Sequence, residues 1–144
     1  MDFASLVDSV QATFEGIHRR VFLGDPSTNS RLRVEVVEAA EVEGIGTLIL
    51  IAPWTLIGML FAEDEDYPGE LTVASKTYKV LRNSIDGLGT YGAVNLVGDI
   101  LTFQTQEQAR VVARSLAEPF RDAVRRAYES AEASDPDRRR FLGL

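Results

Sequence analysis

The sequence predicts an α+β protein: a mostly antiparallel sheet packed against an N-terminal and a C-terminal helix. Three observations carry that prediction. Phe3, Leu6, Val7, Val10, Phe14, Ile17 and Val21 recur at three- and four-residue steps, the spacing of one helical face. Residues 45–61 hold two apolar, isoleucine-rich runs split by Pro53-Trp54, as two buried strands would. A second helical stripe, Ala109, Val112, Ala113, Leu116, Phe120, Val124 and Ala127, lies near the C-terminus. The chain has 144 residues, 45% of them hydrophobic, which suits one domain with a true core. Residues 1–133 are expected to form that domain, and residues 134–144 a flexible basic tail.

Each element has its own local signal. Asp2 or Ser5 can cap the first helix, and Gly24-Asp25-Pro26 ends it, because proline disfavours helix at the residue before it. Residues 31–38 alternate well enough for a strand, and Glu43-Gly44 suits a hairpin turn. Residues 46–51 are apolar on both faces, as in a central strand covered on both sides. Residues 63–69 form an acidic loop closed by Pro68-Gly69, and residues 71–81 mix apolar and basic side chains without a clear period. Gly87, Gly89 and Gly92 surround Tyr91 and lead into a strand at 93–96. Residues 100–103 read as short and extended. Thr105 and Gln108 have capping-box spacing, and Pro119 predicts a kink or break in the last helix. Both helices are expected on one face of the sheet. Phe3, Val10, Phe14, Ile17, Leu48, Leu50, Val112, Leu116 and Phe120 would then share one core.

Charge narrows the function classes. The net charge is −7, and residues 34–75 carry nine acids and no lysine or arginine. That argues against nucleic acid, which needs clustered positive charge. There are no cysteines and one histidine, His18, which removes thiolate chemistry and multi-histidine metal sites. Residues 1–3 lack the basic and apolar regions of a signal peptide, so the chain reads as cytoplasmic. Residues 44–62 carry no charge, but the central Pro53, three glycines and acidic flanks oppose a membrane span.

No catalytic constellation emerges, and no cofactor or metal is expected. His18 lies beside Arg19 and Arg20, and no Gly-x-Ser-x-Gly elbow exists. Glu63, Asp64, Glu65 and Asp66 lack the spacing of a calcium loop and read as a solvated acidic loop or a docking patch for a basic partner. Gly87-Leu88-Gly89-Thr90-Tyr91-Gly92 has the outline of a dinucleotide fingerprint, but a strand follows it where a helix is required. Trp54, the single tryptophan, fits a core or a binding surface.

Several segments, in order along the chain, resemble one family. Val10-Gln11-Ala12-Thr13-Phe14-Glu15-Gly16-Ile17 is similar to the first helix of HybE/HupJ-type hydrogenase assembly chaperones. Ile51-Ala52-Pro53-Trp54-Thr55-Leu56 with Met59-Leu60-Phe61 resembles their strand, Thr-Pro-Trp and apolar continuation, with Ala52 in place of the threonine. Leu88-Gly89-Thr90-Tyr91-Gly92 with Asn95-Leu96, Thr105-Gln106-Glu107-Gln108-Ala109, and the closing Arg139-Arg140-Phe141-Leu142-Gly143 resemble later family segments. Members often carry a cysteine near Ala93 and Val94 and a Ser-Pro at Gly98-Asp99, so no thiol chemistry carries over. The resemblance implies a cytoplasmic chaperone for the small-subunit precursor, the large-subunit precursor, or both, of a nickel–iron hydrogenase, with other maturation proteins as further partners. The alternative is a non-catalytic accessory subunit retained in a mature complex.

From these readings Pro53, Trp54, Tyr91 and Gly92 are expected to border a partner-binding surface. Arg138-Arg139-Arg140-Phe141-Leu142 resembles the Arg-Arg-x-Phe-Leu core of twin-arginine export signals. The expectation is mimicry: Glu63, Asp64, Glu65 and Asp66, with Trp54 or Phe61 close in sequence, receive an incoming signal, and the tail bearing Arg139, Arg140, Phe141 and Leu142 competes for the same site.

Overall fold

Asp2 starts the first helix, its carboxylate accepting hydrogen bonds from the Ser5 amide (3.3 Å) and hydroxyl (2.9 Å). The computed structural model describes residues 2–134; the tail residues Arg138, Arg139, Arg140, Phe141 and Leu142 lie outside them. Helix α1 spans Phe3–Ile17 and continues as one π-helical turn, His18–Phe22. The wider turn changes the phase of the stripe. Phe22 swings toward the sheet and stacks on Trp54, with ring centroids 4.4 Å apart. Val21, expected on the buried face, is instead 63% exposed.

Strands β1 (Glu35–Val42), β2 (Ile45–Ala52), β3 (Thr55–Phe61), β6 (Leu81–Ile85) and β7 (Gly89–Asn95) form an antiparallel sheet of order β1-β2-β3-β7-β6. Strands β4 (Glu70–Val73) and β5 (Lys76–Lys79) make a separate hairpin. The β1–β2 turn is Glu43-Gly44, both with positive φ (52° and 76°), as the twist of a two-residue hairpin requires. Pro53-Trp54 makes the β2–β3 turn, closed by the Ala52–Thr55 pair. The expected strand at 31–38 begins only at Glu35, because Arg33 gives its amide to the Gln106 side chain (2.9 Å) instead of a neighbouring strand. Residues 100–103 are not extended: Ile100–Thr102 is a 3-10 turn capped by Asp99, which accepts from the Leu101 amide at 3.0 Å.

Helix α2 runs Gln106–Ser134. The Thr105 half of its expected capping box is present, Thr105 Oγ1 accepting from the Gln108 amide (3.1 Å), whereas Gln108 Oε1 accepts from the Gln104 amide (2.7 Å), one residue before the cap. The helix passes Pro119 without a break. One backbone bond is lost there, but Ala117 and Phe120 beside it are buried and hold the turn against the sheet.

The two helices do not share a face. Val10 and Phe14 of α1 pack with Leu48, Leu50, Ile57 and Met59. Phe120 of α2 packs with Ile49, Ile51, Leu56 and Leu60, and Val112 and Leu116 are only partly buried beside them. The expected single core is therefore two cores, with the sheet between them. Every residue of β2 is buried, so the alternating side chains of this central strand demand a cover on each side. Ala109, Ala113 and Ala117 bring α2 close to the sheet, and Phe120 lies over Gly58. A Cβ at Gly58 would fall 2.6 Å from the Phe120 ring, so only glycine fits beneath it.

Candidate partner-binding site

Phe61 ends β3, and at that end of the sheet the first turn of α1 leaves an opening. A cavity of about 140 Å³ lies there, with Phe3, Leu6, Phe61 and Leu88 as its apolar lining and Glu41 and Glu63 among its polar residues. Both carboxylates have a sequence origin: Glu41 stands just before the β1–β2 turn, and Glu63 opens the loop after β3. Such a cleft fits one apolar side chain with cationic neighbours.

The acidic loop beside it is tied down at several points. The Tyr67 hydroxyl donates to the Thr90 carbonyl and accepts from the Ala62 amide, both at 3.1 Å. Burial pushes the Tyr67 phenol above its usual range. Glu65 pairs with Arg82 at 3.4 Å, and Asp64 accepts from the Asp66 amide at 3.1 Å. The Tyr128 hydroxyl donates to the Asp66 carbonyl at 2.7 Å, so the C-terminal part of α2 runs beside this loop. Glu63, Asp64, Glu65 and Asp66 are all exposed, and they do not gather as ligands: among the described residues no three acidic or histidine side chains form a metal-sized group.

Trp54 stands at the other end of β3, about 20 Å away along the strand. Its ring stacks against Phe22 (4.4 Å), Phe14 (6.1 Å) and His18 (6.2 Å), and it is half-buried. Pro53 is buried, and its carbonyl accepts the Asn29 amide at 2.7 Å. Asn29 is itself buried and donates to the Ile100 (2.9 Å) and Phe103 (2.8 Å) carbonyls. That network holds the Pro53-Trp54 turn in one position.

The residues singled out from the sequence thus divide. Phe61 and Glu63 meet at the cleft, and Tyr91 lies behind Phe61 with ring centroids 5.7 Å apart. Tyr91 is buried, which pushes its phenol upward against the opposing effect of a hydrogen bond with Asn83. Gly92 faces the opposite side of the sheet, where a Cβ would meet Val80 at 3.0 Å and Tyr67 at 3.1 Å. Pro53 and Trp54 belong to the far end. Sequence reasoning missed Phe3, Leu6, Glu41 and Leu88, which come together only when α1, the β1–β2 turn and the β6–β7 turn meet. The glycines of that last turn do act as turn residues, Gly87 and Gly89 having φ of 83° and 87°.

A two-faced antiparallel sheet covered by one helix on each side, with an apolar cleft beside carboxylates at one end, defines the protein's class as α+β. More particularly, the chain belongs to the NiFe-hydrogenase assembly chaperone HybE family, whose model matches residues 5–144. It is 31% identical over 144 aligned residues to a probable rubredoxin HupJ of Rhodobacter capsulatus, covering 88% of this chain and 52% of that protein. The chain therefore spans about half the length of that relative. No solved structure matches it. Among the described residues no helix is long and apolar enough to cross a membrane.

Proposed function

We propose that this protein is a cytoplasmic chaperone that holds a nickel–iron hydrogenase subunit precursor before export or assembly, by binding and without a catalytic step. The family supports the chaperone role, and the acid-lined apolar cleft at Phe61 and Glu63 carries the finer reading. A twin-arginine signal core of the form Arg-Arg-x-Phe-Leu has the matching chemistry: two guanidinium groups for carboxylates and an apolar pair for the cleft. Small-subunit precursors are the partner with such a signal, and large-subunit precursors or other maturation proteins would join through further surfaces. The domain is residues 1–133, and the tail beyond it is an intramolecular competitor. Support for competition is positional: Tyr128 sits against Asp66, and nine residues separate it from Arg138. A tethered competitor reaches an effective concentration on the order of millimolar, enough to exclude casual ligands.

The test is titration of a labelled twin-arginine peptide. Phe61→Ala and the pair Glu41→Gln with Glu63→Gln should each weaken binding about tenfold or more. Truncation after Ser134 should tighten it. Unchanged binding in the cleft variants would remove the cleft from the reading, and an unchanged affinity after truncation would remove the competitor. Recovery of the protein in stoichiometric amounts with the mature enzyme would replace the chaperone by an accessory subunit.

A further inference from the structure

The opposite end of the sheet has the reverse chemistry. Residues 18–33 carry Arg19, Arg20, Arg31 and Arg33 against the single acid Asp25, in a chain of net charge −7. Asp25 is engaged by Ser27, which donates to it from its amide (2.8 Å) and hydroxyl (2.7 Å). Among the described residues Arg19, Arg20 and Arg31 have no carboxylate partner, and Arg33 reaches Glu35 only at 3.9 Å, where Arg110 already holds that carboxylate at 2.9 Å. Between these cations Val21 is 63% exposed and Leu23 is 70% exposed. Both flank Phe22, whose ring is fixed on Trp54. The surface is also concave. His18 forms a ridge between two hollows: one of about 400 Å³ bordered by Arg19, Arg33 and Glu15, whose carboxylate is engaged by the Gln11 side chain at 2.7 Å, the other of about 410 Å³ bordered by Leu23, Leu32 and the Ser27-engaged Asp25.

We propose that this basic, aromatic-backed end is a second protein-binding surface, and that it takes an acidic segment of a partner polypeptide bearing an apolar side chain. The carboxylates would meet Arg19 and Arg33 in one hollow while the apolar group lies against Leu23 in the other. The Arg19 guanidinium, with the weakly held Arg33 beside it and exposed aliphatic carbon nearby, supplies the charge and apolar complementarity such a segment needs. The Trp54–Phe22 stack beneath, tied through Pro53 and Asn29, keeps the surface rigid, which lowers the entropy lost on docking. The two hollows favour a chain segment over a lipid surface, which is flat on this scale. A net charge of −7 opposes both an anionic bilayer and a phosphate backbone. The surface is independent of the acidic cleft, so one protein could hold two oppositely charged segments at once.

Trp54 is the sole tryptophan and lies beneath this surface, stacked on Phe22 and on His18, which borders both hollows, so its emission reports occupancy through those rings. The probe is a capped synthetic peptide alternating glutamate and leucine, compared with the same peptide carrying lysine in place of glutamate. The expected result is a saturable change in Trp54 emission with the glutamate peptide and none with the lysine peptide. Arg19→Glu should weaken binding at least tenfold and Leu23→Ser several-fold. Both positions are exposed, and a thermal melt equal to that of the unaltered protein checks their folding. Binding of the glutamate peptide unaffected by Arg19→Glu would overturn the proposal. So would an equal response to the lysine peptide, a response confined to phosphatidylglycerol vesicles, or an emission change that follows protein concentration without peptide. The twin-arginine titration uses the other end of the sheet and an opposite charge, so failure of either test leaves the other standing.

Discussion

The two faces of the sheet are covered unequally. Helix α2 has 29 residues and α1 has 15, lengths of about 43 and 22 Å. The longer helix packs on β1, β2 and β4 through its buried alanines, with the Phe120 ring set on Gly58. The β4–β5 hairpin adds Leu71 and Val73 to the same core. The shorter helix covers the middle of the other face through Leu6, Val10 and Phe14. Its first turn borders the acidic cleft, and its π-helical end carries the basic aromatic surface. The helix and its π-helical turn thus leave hollows near both of their ends. The stable core is delegated to α2, and both candidate binding surfaces lie at the margins of α1.

If that division is right, the largest losses of stability should come from the α2 face and leave binding alone. Phe120→Ala should cost about 3–5 kcal/mol, because a fully buried ring is removed and Gly58 cannot fill the space. Gly58→Ala attacks the same contact from the other side and should cost about 1–3 kcal/mol, since the buried ring must shift. The two substitutions together should cost less than their sum, because each relieves the clash or the gap left by the other. Denaturant unfolding of the four proteins gives the cycle. Additive losses would mean that Phe120 and Gly58 are not in contact.

How much of this was legible depends on whether the signal was local. The α+β class, the hairpin at Glu43-Gly44, the Pro53-Trp54 turn and the Thr105 cap follow from short-range chemistry, and the structure has all of them. The small hairpin at 70–79 was not legible, because its strands β4 and β5 are four residues each and its Ala74-Ser75 turn uses positive φ at residues that rarely adopt it. The placement of the helices was readable in part: residues 46–51 are apolar on both sides, which implies two covers, yet one face was expected to take both helices. The acidic cleft is assembled from four separate chain segments, so spacing alone could point only to Phe61 and Glu63. The Trp54 stack needed the π-helical turn, for which the stretch from His18 to Phe22 has no distinctive residue pattern.

A middle-sized effect tests whether α2 is also held by polar contacts at its start. Glu35 on β1 receives Arg110 Nε at 2.9 Å to each carboxylate oxygen, and Gln106 Nε2 at 2.9 Å. Burial works to raise the Glu35 carboxyl, but those hydrogen bonds and the charges of Arg110 and Arg33 outweigh it and hold the group below its usual range. A carboxyl lowered in the folded protein contributes its stability above the unfolded value of about 4.3 and loses it as pH falls through the folded value. Glu35→Gln should therefore cost about 1 kcal/mol near neutral pH, given its partial exposure. The difference from the unaltered protein should vanish as acid protonates Glu35. Melting curves from pH 7 to pH 3 measure it, and a constant gap across that range would show that the carboxylate's charge plays no part.

The smallest effects should lie at the end of α1, where they test the change of helical phase. An unbroken α-helical period places Val21 on the buried stripe with Phe14 and Ile17. The π-helical turn instead brings in Phe22 and leaves Val21 and Leu23 in solvent. Val21→Ser and Leu23→Ser should then each change stability by no more than about 0.5 kcal/mol, the range of exposed substitutions. Were Val21 in the core, losing its methyls and burying a hydroxyl would cost about 2–3 kcal/mol. Phe22→Ser is the internal contrast: it removes the ring stacked at 4.4 Å on Trp54 and should cost more than either neighbour. Thermal melts of the three variants, read with Trp54 emission, decide the matter. A Val21→Ser loss larger than that of Phe22→Ser would restore the unbroken helix and close the basic surface that depends on the π-helical turn.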